Sequence, residues 1–305
     1  MVGSYAHTYS IIAVDNEAGQ MGAAVQSHYF SVGSVVPWAR PGVGVVTTQA
    51  LVNVQFGPDG LALLAAGDSP QQALSALLAE DDGADYRQVA LLAPGHGPAT
   101  HTGSRCIAEA GHVTAGEYSC QANMMLSDTV WGAMAGAFES AHGNALAERL
   151  LAALKAAEYE GGDIRGRQSA AIVIVRSEAT GRATDDYVLD LRVEDHHSPL
   201  AELERLLGIH RAYRHADAGD EAMEHGNIEA ALEQFRAAEA LQPDNLELRY
   251  WHGVNLLSAG RVEEGLALLA DVVSRNRNWL ELTLRLPDAG LAAFDDELLE
   301  RLRKL

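Results

Sequence analysis

The chain has 305 residues, 48% of them hydrophobic and 21% charged, with a formal net charge of −20. This is the composition of a globular protein rather than a disordered one, and its length suits one large domain followed by a small one. The first 205 residues and the remainder are both net acidic, which argues against a nucleic-acid partner or an anionic membrane surface.

Met1–His7 reads as a leader without a structural signal. Thr8–Val14 and Gln20–Ser27 are β-like runs around the turn-forming cluster Asp15-Asn16-Glu17-Ala18-Gly19, a hairpin pattern. Val35–Gly42 reads as a bend and Val43–Gln49 as a third strand. Gly57-Pro58-Asp59-Gly60 opens a helix over Leu61–Ala66. Asp68-Ser69-Pro70 supplies a cap and a proline for a helix over Gln71–Glu80. Strands follow at Tyr86–Ala93, Ala99–Thr102 and Glu117–Asn123. Ser127-Asp128 starts a helix that runs to about Phe138, and Asn144 caps another that Gly161-Gly162 ends. Ser169–Val175 and Tyr187–Val193 are the last strands. Strands at both ends with helices grouped between them favour an α+β fold of two stacked, mostly antiparallel sheets covered by helices.

From residue 201 to 305 the pattern is helical and repeats. In a frame of about 34 residues starting at Ala212, the residues Gly219, Gly226, Ala231, Phe235, Ala238 and Pro243 match a tetratricopeptide repeat (TPR). A second frame from Leu246 gives Gly253, Gly260, Gly265, Leu269 and Val272. Fewer than two full units need a neighbour to cover their open ends. Docking on the first domain, a protein partner or a homodimer is therefore expected.

Lys155 and Lys304 are the only lysines, so lysine catalysis is nearly excluded by inventory. With no secretion signal in the first ten residues, Cys106 and Cys120 read as reduced, buried thiols of a cytoplasmic protein. No apolar run is long enough to span a bilayer. His96, His101 and His112, with Cys106, match no standard metal-ligand spacing, so no metal and no cofactor is expected.

Several segments together resemble a known family: Thr8–Ala13, Ala24–Ser27, Ser31–Arg40, Tyr118–Met124 and Gly161–Ala171. They are similar to an uncharacterised family of N-terminal-nucleophile (Ntn) hydrolase-like proteins, the domain-of-unknown-function family ten-twenty-eight. The resemblance covers about residues 8–200. It implies a four-layer αββα Ntn-hydrolase-like sandwich, followed here by the small all-α TPR-like domain. It also implies a catalytic Thr8 whose α-amine, with a pKa near ~8, serves as the base. A free amine at Thr8 requires cleavage after His7.

By the same resemblance, Arg40 stands thirty-two residues after Thr8, where the proteasome-like branch keeps a lysine. Arginine stays protonated, so Arg40 would act electrostatically and never as a base. Asn123 would donate to an oxyanion, and Asp163 and Ser169 would orient the terminal amine, with Arg165 beside them. Ser10, sixteen residues before Gln26, is the alternative nucleophile. Gln26, Ser27, Thr48 and Gln49 would line the substrate pocket. The implied activity is hydrolysis of a small-molecule amide at a non-peptide or isopeptide C–N bond. The rival reading is a non-catalytic Ntn-fold module with a TPR-like docking platform. A metal hydrolase on the histidine segment is a third.

Overall fold

The computed structural model describes residues 4–305, with side chains from Ala6 onward. It divides into two compact units, the first ending at Glu204 and the second running from Arg205 to Leu305.

The first unit contains two antiparallel sheets. One joins β1 (Ser4–Ala6), β4 (Pro37–Arg40), β5 (Gly44–Val52), β6 (Arg87–Leu92) and β7 (Ala99–Thr102). The other joins β2 (Thr8–Asp15), β3 (Gln20–Ser27), β8 (Gly111–Thr114), β9 (Tyr118–Ala122), β10 (Ser169–Arg176) and β11 (Tyr187–Val193), in the order β11-β10-β3-β2-β9-β8. Helices α1 (Phe56–Ala66) and α2 (Pro70–Ala79) pack on the first sheet, and α3 (Val130–Ser140) and α4 (Leu146–Tyr159) on the second. A short α5 (Ala183–Asp186) precedes β11. The remaining faces of the two sheets meet each other.

Side-chain alternation sorts each strand between these layers. In β6, Val89 and Leu91 join the core beneath α1 and α2, while Ala90 and Leu92 join the core between the sheets. Ile12 and Val14 of β2, Met21 and Ala23 of β3, and Val173 and Val175 of β10 close that inter-sheet core.

The hairpin β2–β3 and strand β10 stand where the sequence puts them. Ser69 caps α2 in a reciprocal capping box with Gln72, and Pro70 takes the first helical position. Other expectations are corrected. The Pro37–Arg40 bend is strand β4, because a proline is tolerated on a sheet edge. Helix α1 begins at Phe56, so Pro58 lies in its first turn, where no backbone donor is required of it. Thr129 and Ala145, not Ser127-Asp128 and Asn144, stand at the N-caps of α3 and α4. Most consequential, part of the presumed leader is ordered: Ser4–Ala6 pairs antiparallel with Ala50–Val52 of β5.

The second unit is all helical. It takes the end of α6 (Pro199–Glu224), then α7 (Ile228–Leu241), α8 (Leu246–Ser258), α9 (Val262–Arg275), α10 (Asn278–Arg285) and α11 (Asp296–Leu302). The small residues of the repeat pattern do the expected work. A Cβ added at Gly219 would stand 2.5 Å from the Phe235 ring, and one at Gly265 would stand 2.8 Å from the Gly253 carbonyl. The helices approach closely because these positions lack side chains.

Candidate active site

Thr8 is the first residue of β2 and is wholly buried. It lies opposite Ser27 of β3, which in turn lies opposite Ser169 of β10. The chain enters here from β1 in one sheet and continues as β2 in the other, so the His7–Thr8 peptide bridges the two sheets.

The carbonyls on either side of that junction and the Thr8 hydroxyl are all hydrogen-bonded. The His7 carbonyl accepts from Ser27 Oγ at 2.6 Å and from an Arg165 guanidinium nitrogen at 2.8 Å. The Thr8 hydroxyl donates to the Ala6 carbonyl at 2.9 Å. The Thr8 carbonyl accepts from the Asn123 backbone at 3.1 Å and from Gln49 Nε2 at 3.2 Å.

Arg165 is aimed by Asp163. The Asp163 carboxylate is fully buried and grips the guanidinium in a two-pronged pair, at 3.0 Å to Nε and 2.7 Å to Nη2. Its oxygens also accept the backbone N–H groups of His28 and Arg165 itself, each at 3.0 Å. The double glycine before it is left-handed at both residues. A Cβ on Gly161 would strike Leu126, and one on Gly162 would press on the Tyr9 ring at 3.2 Å. The 161–165 loop comes this close to the 124–126 segment because those side chains are missing.

His7 is buried, and its Nδ1 lies 2.8 Å from Asn123 Oδ1. Asn123 Nδ2 is committed to Gln88 Oε1 at 2.9 Å, so Oδ1 is the acceptor and His7 carries its proton on Nδ1. Burial lowers the His7 pKa below the usual histidine value, opposed by the Asn123 hydrogen bond, so the ring is neutral at pH 7.

Behind the junction lies a polar layer between the sheets. Ser10 Oγ donates to Gln49 Oε1 at 2.6 Å and accepts from Gln121 Nε2 at 2.8 Å. Gln121 also reaches Thr47 Oγ1 at 2.8 Å, and Gln49 reaches Gln88 Oε1 at 2.7 Å. Gln88 donates onward to Thr102 Oγ1 and to the Gly111 and Ala122 carbonyls. Three non-glycine residues in the left-handed region flank the site: Ser31, Ala50 and Met124. Ala50 pairs with Ala6, and Met124 follows Asn123. Each such residue costs on the order of 1–2 kcal/mol, and strain of this kind concentrates at functional sites.

The structure thus brings Thr8, Ser27, Gln49, Asn123, Asp163 and Arg165 together. Ser169 is adjacent but serves the neighbouring loop, donating to the Tyr29 carbonyl at 2.5 Å and accepting from the Val32 N–H at 3.0 Å. Ser10 and Gln26 point to opposite faces of their sheet. Ser10 faces the polar layer, whereas Gln26 lies across from Tyr9 on the helix side and bonds to its hydroxyl. Strand alternation, which spacing along the chain ignores, separates them. The Tyr9 hydroxyl donates its one proton to Glu158 at 2.9 Å, so a Gln26 amide turned to donate to Tyr9 accounts for its otherwise unpartnered Nε2.

Thr48 alternates away from the site as well, and its hydroxyl donates to the Asn53 carbonyl. Arg40 is exposed opposite Gly44, five residues along β5 from Gln49 and thus ~16 Å away. It is not part of the site. His101 and His112 bond to the Ala84 carbonyl and to Thr102 Oγ1, and among the described residues no three His, Cys, Asp or Glu side chains gather as metal ligands. Burial pushes the Cys106 thiol up to about 11 and raises Cys120 further, so neither is a thiolate at pH 7. Sequence reading missed His7, Gln88 and Gln121. For the two glutamines the available signal was a large amide side chain within a β-like run, and His7 carried none.

Residues 8–203 match the model of a family of unknown function, DUF1028. The chain belongs to this family. The first matched residue is Thr8 itself. Residues 222–284 match a tetratricopeptide repeat model. Among solved structures, the chain is similar to a DUF1028 protein, SPO2555 from Silicibacter pomeroyi. The two are 32% identical over 66% of this chain and 88% of that one, with a TM-score of 0.59. No curated protein matches. No helix among the described residues is long and apolar enough to cross a membrane.

Proposed function

We propose that the first unit is an Ntn-type amidohydrolase, and that its nucleophile is released by cleavage of its own His7–Thr8 bond. The layer order of helices, sheet, sheet, helices supports an Ntn-like sandwich. The observation that carries the chemistry is the His7 carbonyl oxygen, which accepts from Ser27 Oγ and from Arg165 at once. Two donors on one carbonyl, one of them cationic, form the environment that a developing oxyanion needs.

Attack of Thr8 Oγ1 on the His7 carbonyl carbon closes a five-membered ring through Cβ, Cα and N. The carbonyl π pair moves to the oxygen, where Ser27 and Arg165 hold it. Collapse breaks the C–N bond, the hydroxyl proton ends on the nitrogen, and His7 is left as an ester on Thr8. Water then releases the His7 carboxylate and leaves Thr8 with a free α-amine. That amine, with a pKa near ~8, is the base for later turnovers on an external amide. Asn123 and Gln49 fix the Thr8 carbonyl throughout, and Asp163 keeps Arg165 in place.

The test is a time course of intact mass and N-terminal sequence on freshly purified chain. Conversion to a species beginning at Thr8, retained in Thr8→Ser and absent from Thr8→Ala, supports the reading. A chain that stays uncut in wild type and in Thr8→Ser alike sinks it. The Ser27→Ala and Arg165→Ala variants should each slow cleavage by about 10²–10³-fold.

A second reading draws on the repeat unit. Stacked helical repeats present extended surfaces to protein partners, and this unit would recruit one for the catalytic unit or in place of catalysis. Recovery of the same partner by the wild type and by an uncut Thr8→Ala chain would favour docking as the main role.

A further inference from the structure

We propose that the acyl half of the substrate is an extended peptide, and that it adds a strand to the edge of β5 now taken by Ser4–Ala6. This rests on the Ntn reading above. One edge of β5 pairs with β6 along Val45–Ala50. The other is shared: β4 covers Gly44–Thr47 and β1 covers Ala50–Val52. Cleavage after His7 severs the segment from β2 and leaves it held by three residue pairs on β5, by the packing of Ala6 and by the polar contacts of His7. Its departure leaves Ala50–Val52 with unpaired backbone donors and acceptors leading straight to the nucleophile. An exposed edge of this kind is a template for an added strand.

The leader also shows what that strand must look like. Its carbonyl at His7 sits in the Ser27–Arg165 cradle, so a substrate in the same register presents its scissile carbonyl there. The preceding residue, Ala6, is fully buried in a cluster with Val25, Val32, Val36, Val52 and Ala171. That position accepts a small side chain and excludes a large one. The residue at the scissile carbonyl meets Asn123 Oδ1, so it carries a hydrogen-bond donor, as neutral His7 does. The substrate is therefore a peptide ending in a small residue and then a donor-bearing polar one, in amide linkage to an amine that this edge does not specify. The simple small amide expected from the sequence lacks the strand that the edge would pair.

The experiment uses the chain from Thr8 to Leu305. Hydrolysis is compared for the anilides of acetyl-Ser-Tyr-Ala-His and of acetyl-His, and binding is measured for the free tetrapeptide. Two further tetrapeptides are N-methylated at the tyrosine or at the alanine, and another has phenylalanine in place of alanine. The expected result is kcat/KM at least about tenfold higher for the longer anilide. One N-methylation should weaken binding by about three- to tenfold, and phenylalanine should abolish it.

Hydrolysis of both anilides at equal kcat/KM, with no tetrapeptide binding, overturns the peptide inference and leaves the amidohydrolase reading standing. Tetrapeptide binding that is sensitive to N-methylation, with neither anilide cleaved, keeps the groove and sinks the catalytic reading. A folded chain that neither binds nor cleaves overturns the groove. A readout in cis guards against a Thr8-start chain that does not fold. In the full chain, Ala6→Phe should slow release of the leader by at least about tenfold and Ala6→Ser should not, and equal rates for the two overturn the inference.

Discussion

The space between the two sheets has two ends built on different principles. At the turn end, Ile12, Val14, Met21, Ala23, Val45, Ala90, Leu92, Val173 and Val175 form a dry core. At the Thr8 end, β2, β5 and β6 contribute Ser10, Thr47, Gln49 and Gln88, and β9 with the residue after it adds Gln121 and Asn123, all buried and joined in one hydrogen-bonded network. Apolar packing is non-directional and tolerates small shifts. A chain of amide hydrogen bonds fixes orientation, because each donor left unpaired in the interior costs about 1–3 kcal/mol. One end supplies stability and the other supplies geometry to the His7–Thr8 junction.

This contrast can be broken by substitution. Leu92→Ala should have the largest effect on stability, about 2–5 kcal/mol, read by denaturant unfolding. Release of the leader should continue at the wild-type rate once folding is complete, and a slowed release would show that the dry end also sets the site. Gln88→Leu should cost about 2–4 kcal/mol, because it strips an acceptor from Asn123 and Gln49 and a donor from the buried Ala122 carbonyl and the half-buried Gly111 carbonyl. Unlike Leu92→Ala, it should also slow cleavage. Equal cleavage rates in the two variants would dissolve the distinction between the ends.

A smaller effect separates the two units. Gly219→Ala forces a methyl against Phe235, so it should cost about 1–3 kcal/mol, and hydrogen exchange should show the loss in the repeat unit alone.

The smallest effect comes with pH. The folded-state pKa values of His7, His112 and His210 are all lowered, chiefly by burial. Below about pH 6.5 the unfolded chain takes up protons that the folded chain refuses. Stability should therefore be full above that pH and decline as pH falls toward the folded-state values. A melting series from pH 8 to 5 in wild type and His7→Gln measures the share due to His7. Identical slopes in the two would assign the decline to the other histidines.

Much of the fold was legible. The β2–β3 hairpin, the apolar β10 and the Gly161-Gly162 break each carry a local cause within a few residues: alternation, an unbroken apolar run, or left-handed backbone. The spacing of Gly219, Ala231, Phe235 and Ala238 was equally readable, since helices in contact demand small residues, and a large one to fill the groove, at fixed intervals. Strands β4 and β8 were not. They are four residues long, and one begins with a proline, so only pairing with β5 and β9 makes them strands. The site was read in part. Thr8, Asn123, Asp163 and Arg165 converge, whereas Arg40 and Gln26 were placed by distance along the chain and Thr48 by its place at a strand end, neither of which says what sheet face a side chain takes.

By itself the sequence determined the local elements, the change to helical repeats near residue 200, and a polar residue set around Thr8. Those follow from periodicity, capping and turn chemistry, which act between neighbours. Only the tertiary structure decided that Ser4–Ala6 belongs to the opposite sheet from Thr8. It alone brings Ser27 and Arg165 onto one carbonyl oxygen and links three strand glutamines into one network. These pairings join residues 20 to 158 positions apart, and they exist because burying both sheet faces leaves the polar groups no partners but each other.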